Sequence, residues 1–288
     1  MMIYLRKIFN LFLFSSLFIA LCAVLMTLQT NQLFALGYND LHYAAFVFFS
    51  TICSYNFHWY LTPESFAEHT RAQWTRQHKL LHLLLFIFGA IGAAWYFFSF
   101  SGKWFWLTVP VILTFLYSAP KMSYPPFRWL RKVAVGKTLF LAMVWMYVTT
   151  LAPMFLSGVD WENYYGDGLA PFFVLFPCSR FFLIYAICIM FDYRDRDEDK
   201  KDGIRSMITY FSEKGVDALF YGSLIAFFVA TSAMYLYGTS LFTVISLLIP
   251  GFIVLALYKT AKRNFSDYLY YFVLDGLMMF SSLFTLFL

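Results

Sequence analysis

Charge is what this chain of 288 residues has least of: 13% of it is Asp, Glu, Lys or Arg, against 61% hydrophobic residues. A soluble domain carries about 25% charged residues, so a water-exposed globular fold is excluded. Cysteine is scarce too. Cys22, Cys53, Cys178 and Cys188 all fall in apolar runs and form no CxxC pair, so neither a zinc site nor a disulfide framework is expected. The link over residues 29–40 has no Lys or Arg. That absence of positive charge marks it as the outer side of a membrane.

What is present is a series of long apolar runs. The first, over 8–28, follows Arg6 and Lys7. It is long for a signal peptide and lacks a small-x-small cleavage site, so it reads as a retained helix. Further runs at 41–62, 80–100, 104–119, 133–157, 170–191, 216–237, 241–258 and 269–287 make nine expected transmembrane helices. The runs at 104–119 and 241–258 are near the lower limit for crossing. The expected fold class is all-α: a single polytopic membrane domain over 1–288 with nine helices, around a central cavity open to the cytosolic side, across which the long connections 63–79 and 192–215 would face each other. With the N-terminus in the cytosol, all of the 21 basic residues except Lys103 and Arg180 fall on that side. The opposite loops hold Asp40, Asp160, Glu162 and Asp167, and the C-terminus is expected outside.

One charged island stands out. Asp192, Asp195, Asp197, Glu198 and Asp199 follow the 170–191 run directly. On a helix, Asp195 and Asp199 stand one turn apart on one face, and Asp192 joins them. Such a cluster repels itself unless a cation neutralises it. Carboxylate oxygens suit Mg²⁺, which shares its coordination with substrate phosphates. Lys200 and Arg205 follow and can hold diphosphate oxygens. By composition the run reads equally as a solvated, mixed-charge loop; its place at the edge of a span favours a site.

The pattern Asp192-x-x-Asp195-Arg196-Asp197-x-Asp199-x-x-x-Gly203-Ile204-Arg205-Ser206 resembles the second aspartate motif of the UbiA superfamily of intramembrane prenyltransferases. Tyr117-Ser118-Ala119-Pro120-Lys121 is similar to the region after that family's fourth helix, and Asp275-Gly276 also suits it. The family's first motif, N-D-x-x-D-x-x-x-D, is degenerate here. Asn56 matches its first position, Phe57 and Tyr60 replace two aspartates, and Glu64 stands where the last carboxylate belongs.

The resemblance implies transfer of a polyprenyl group from its diphosphate to an aromatic or other lipophilic acceptor, assisted by Mg²⁺. It implies Asp192, Asp195 and Asp199 as metal ligands, with Asp195 and Asp199 the catalytic pair. Asn56, Glu64, Lys121, Lys200 and Arg205 become candidate substrate contacts. Expected partners are polyprenyl diphosphate, the acceptor and membrane lipids, with no nucleic acid, in a bacterial inner membrane. The alternative is a non-catalytic member of this fold that binds a lipid or is structural; a transporter is a third reading.

Other candidates carry two readings each. His58 is either a structural histidine or a contact to an acceptor or metal. His78 and His82 are four apart, a metal-compatible spacing without a third ligand. Arg71, Arg76 and Lys79 either reach a diphosphate or simply obey the positive-inside rule. Arg180 lies within a span, where a charge faces the bundle interior or a cavity; Asp275 is its expected buried partner.

Overall fold

The computed structural model describes residues 2–62, 70–118, 137–158, 170–201 and 207–287, and among these it is helical with no strand. The helices are α1 (Met2–Phe14), α2 (Leu17–Leu33), α3 (Asp40–Tyr60), α4 (Thr70–Gln77), α5 (Lys79–Phe98) and α6 (Trp104–Ser118). Then come α7 (Lys137–Met146), α8 (Ala152–Ser157), α9 (Ala170–Lys201), α10 (Met207–Tyr210), α11 (Glu213–Ala233), α12 (Leu241–Ala261), α13 (Asp275–Met279) and α14 (Ser282–Thr285). Two π-helical segments, Tyr147–Leu151 and Leu269–Leu274, lead into α8 and α13.

Five helical stretches are long and apolar enough to cross a membrane: Lys79–Phe98, Thr138–Ser157, Pro171–Asp197, Glu213–Tyr237 and Leu241–Ala261. A sixth arises if Tyr4–Phe14 and Leu17–Leu33, bent by 55°, make one crossing. This is the signature of an integral membrane protein. The remaining three expected spans are helices of another kind. α3 is long but carries Ser50, Thr51, Ser54, Asn56 and His58. Trp104–Ser118 and Leu269–Thr285 are apolar but short.

The break between α1 and α2 has a definite cause. Ser16 sits in the left-handed region at φ 69°, where a residue with a Cβ is strained. Helical hydrogen bonding is interrupted there, and a carbonyl freed inside a bilayer is costly. Asn56 on α3 resolves this: its Nδ2 donates to the Ser15 carbonyl at 3.1 Å and to the Ile52 carbonyl at 2.8 Å.

α3 packs on α2 and α5, while α9 packs on α7 and α11. Gly89 sets the α3–α5 approach. A Cβ there would stand 2.5 Å from the Cys53 backbone nitrogen and 2.8 Å from the Phe49 carbonyl oxygen, so only glycine admits this contact. The core between these layers is aromatic and aliphatic, with Phe14, Tyr43, Phe220 and Tyr270 fully buried.

Candidate functional site

α9 does not stop at residue 191, where the apolar run ends, but continues to Lys201. The acidic island is therefore helical rather than part of a loop. Asp192, Asp195 and Asp199 fall on one face and line a cavity of about 210 Å³. Asp197 is exposed, so the island is divided between cavity and solvent by helical periodicity alone. Asp192 and Asp199 are buried. Asp192 accepts a hydrogen bond from the Thr138 hydroxyl, and Asp195 pairs with the Arg194 Nε at 2.7 Å.

The second wall comes from α3 and α4. The α3 residues that face the cavity are Ser54, Tyr55, His58 and Trp59, the spacing of one helical face, and Thr62 just beyond the helix joins them. None is a carboxylate. Phe57 packs against Phe86 at 5.1 Å between ring centroids, and the Lys79 ammonium lies 5.5 Å from the Tyr60 ring. Both stand off the cavity face, so the two positions that resemble lost aspartates do not point at the α9 carboxylates.

Asn56 is displaced from its expected role for the same reason. It is fully buried, does not line the cavity, and its Oδ1 pairs with His82 Nδ1 at 2.7 Å. It braces the α1–α2 break. His82 is thereby a structural histidine, and His78 stacks on Trp74 at 4.3 Å. Their four-residue spacing serves packing of α4 on α5. Lys200 is exposed and off the cavity. Glu64, Lys121 and Arg205 lie outside the described residues.

The π-helical segment Leu269–Leu274 supplies the floor. π-turns shift side chains out of the α-helical register and recur at functional sites; this one brings Tyr271 to the cavity, with Asp275 a turn later. Tyr271 is flanked by two buried arginines. The Arg71 guanidinium carbon lies 4.0 Å from its ring centre and 4.2 Å from that of Trp59. Arg194 Nη2 donates to the Tyr271 hydroxyl at 2.8 Å, and its Nη1 lies 3.6 Å from Asp267. Burial pulls the Arg71 pKa down from its ordinary value, against the nearby Tyr271, Asp275 and Asp267, which raise it. A guanidinium stays protonated through such a shift.

Sequence reasoning passed over Arg194, Trp59 and Tyr271. An arginine inside an acidic run was the available signal for Arg194. Asp275 was expected beside Arg180, and that pairing does not form. Arg180 Nη2 donates to the Gln29 side-chain carbonyl at 2.7 Å, and Gln29 bonds in turn to Ser281 and Thr285. Asp275 lies six residues before Ser281, roughly 9 Å along the helix, at the level of Arg71 and Arg194 instead.

Among the described residues no three His, Cys, Asp or Glu side chains converge closely enough to hold a metal by themselves. The donors on α9 are nevertheless of the type Mg²⁺ takes, and Mg²⁺ commonly needs only one or two carboxylates when phosphate oxygens and water complete its shell. No protein-family model matches the chain, and neither a curated protein nor a solved structure matches it.

Proposed function

We propose that the protein is a UbiA-like intramembrane prenyltransferase, moving a polyprenyl group from its diphosphate to an aromatic or other lipophilic acceptor. The single observation that supports this most is the α9 face, where Asp192, Asp195 and Asp199 line one cavity with aromatic rings. In this reading all nine apolar segments cross a bacterial inner membrane, with the N-terminus cytosolic and the C-terminus external. Asp192, Asp195 and Asp199 would hold Mg²⁺, which when bound offsets the charge of the departing diphosphate. The rings of Tyr55, Trp59, Trp145 and Tyr271 flank the space for the allylic carbon, where ring faces favour developing positive charge. An aromatic-lined site also keeps water from that carbon.

A second reading is a non-catalytic protein of the same fold that binds a lipid and transfers nothing. The absence of a carboxylate on the α3 face of the cavity favours it. Purified protein incubated with a panel of isoprenyl diphosphates, with Mg²⁺ or with EDTA, separates the two. Mg²⁺-dependent release of diphosphate supports transfer. Tight binding without release supports the lipid-binding protein, and neither binding nor release removes the prenyl reading.

A further inference from the structure

We propose that Arg71 is a metal-independent anchor for one phosphoryl group of a diphosphate ligand in the cavity. The inference deepens the prenyl diphosphate reading and rests on it for the hydrocarbon tail alone. Its basis is the contrast between the cavity's two arginines. Arg194 is paired with two carboxylates, Asp195 and Asp267, and donates to the Tyr271 hydroxyl, with Nη1 making no hydrogen bond. Arg71 is 3% exposed, yet among the described residues no carboxylate oxygen lies within 4.0 Å of its guanidinium. Asp267 meets Arg71 through the backbone N–H, which donates to Oδ2 at 2.8 Å. Nη2 reaches only the Ser16 hydroxyl at 3.5 Å, and Nε is buried without a hydrogen-bond partner.

A buried cation without a counter-ion is costly, and folded proteins pair or bond such charges. Here the fold sets Asp267 and Asp275 near the group, but among the described residues it places no carboxylate oxygen against the N–H edge. The Trp59 and Tyr271 rings stand against the guanidinium at 77° to one another, and its N–H donors lie along its edge, where Nε has no hydrogen-bond partner. An edge held in one plane matches the oxygens of a phosphate.

The opposite charge nearby selects among anions. Asp192, Asp195, Asp199 and Asp275 share the cavity with Arg71. A lone carboxylate ligand would satisfy Arg71 and be repelled by the rest. A diphosphate has two anionic centres: one can sit on Arg71 while the other shares a cation with the α9 carboxylates. Arg71 thus does on the α3–α4 wall what carboxylate-bound metal would otherwise do there.

The test uses the full-length protein in detergent, with geranylgeranyl diphosphate, inorganic pyrophosphate and dodecyl phosphate as probes, each in EDTA and in Mg²⁺. Wild type is expected to bind geranylgeranyl diphosphate in EDTA, more weakly than in Mg²⁺. Arg71→Gln should weaken the EDTA binding by roughly 10- to 100-fold, the size expected for hydrogen bonds to a charged group. Arg71→Lys, which keeps the charge and loses the planar stack, should fall between and serves as the folded control if Arg71→Gln does not purify. Equal EDTA binding by wild type and variants overturns the anchor, as does wild-type binding that needs Mg²⁺ entirely; both leave the prenyl reading intact. Arg71-dependent binding of pyrophosphate or dodecyl phosphate as tight as that of geranylgeranyl diphosphate keeps the anchor and removes the prenyl reading. No binding of any probe overturns both.

Discussion

Two regions of this protein each bury an arginine in an apolar bundle, and they treat it in opposite ways. At one, Arg180 is taken into a neutral network: Gln29 accepts from it, and Ser281, Ser282 and Thr285 surround that amide. At the other, Arg71 stands against two rings beside a cavity, and among the described residues no carboxylate oxygen comes within 4.0 Å of its guanidinium. A buried charge alone therefore does not mark a site. The mark is a charge whose position is fixed while its hydrogen-bonding edge is left to the cavity. The Arg180 network ties α2, α9 and the last helices together; the Arg71 wall leaves a space between them.

Removing the partner from the Arg180 network should have the largest effect. Gln29→Leu strands the Arg180 guanidinium and leaves buried hydroxyls without their amide. A loss of about 3 kcal/mol is expected for a charged donor left unsatisfied in a buried site, read by thermal or denaturant unfolding in detergent. An unfolding curve like that of wild type would mean that the network contributes little. Next come the α9 carboxylates. Asp195→Asn and Asp199→Asn each replace a charged oxygen by an amide of the same shape, so folding should persist. Mg²⁺-dependent binding of geranylgeranyl diphosphate should fall on the order of 10-fold. If Mg²⁺ strengthens binding equally in both variants and in wild type, the acidic face is a solvated charge run.

Asn56→Leu should cost roughly 1–3 kcal/mol for each buried group left without a partner, here the Ser15 carbonyl and His82, while ligand binding per folded molecule stays unchanged. Selective loss of Mg²⁺-dependent binding, with normal stability, would return Asn56 to the site. The smallest effect belongs to Arg180→Met. Gln29 keeps an acceptor contact to Ser282 at 3.1 Å, and replacement of a buried charge by an apolar side chain of like volume is often neutral or stabilising. A melting temperature at or slightly above that of wild type is expected. A marked drop would show that the guanidinium holds the helices together.

The helical character and the acidic face were legible in the sequence because both are periodic. The 3- and 4-residue spacings from Asp192 to Asp195 to Asp199 survive any tertiary arrangement that keeps α9 helical. Asn56 was misread because its partner, the Ser15 carbonyl, is exposed to bonding only by a backbone break at Ser16, which no local pattern announces. The Arg180–Asp275 pairing failed for a related reason. Which residues on two helices share a level depends on packing, and the π-turn at Leu269–Leu274 shifts the register of everything after it. The α3 face was set by α5, through the close approach at Gly89. That packing turns Phe57 and Tyr60 from the cavity and presents Trp59 in their stead.

The central claim is that a diphosphate headgroup lies between the α9 carboxylates and the Arg71–Tyr271 stack. The most direct measurement is a cryo-EM structure of the protein with Mg²⁺ and the thiolo analogue of geranylgeranyl diphosphate, whose carbon–sulfur bond resists cleavage. The expected density has one phosphoryl group against the Arg71 edge, the other joined through a cation to Asp195 or Asp199, and the tail running along Trp59 and Tyr55. Density for the diphosphate outside this cavity, or a cavity filled by hydrocarbon with the headgroup elsewhere, would contradict it.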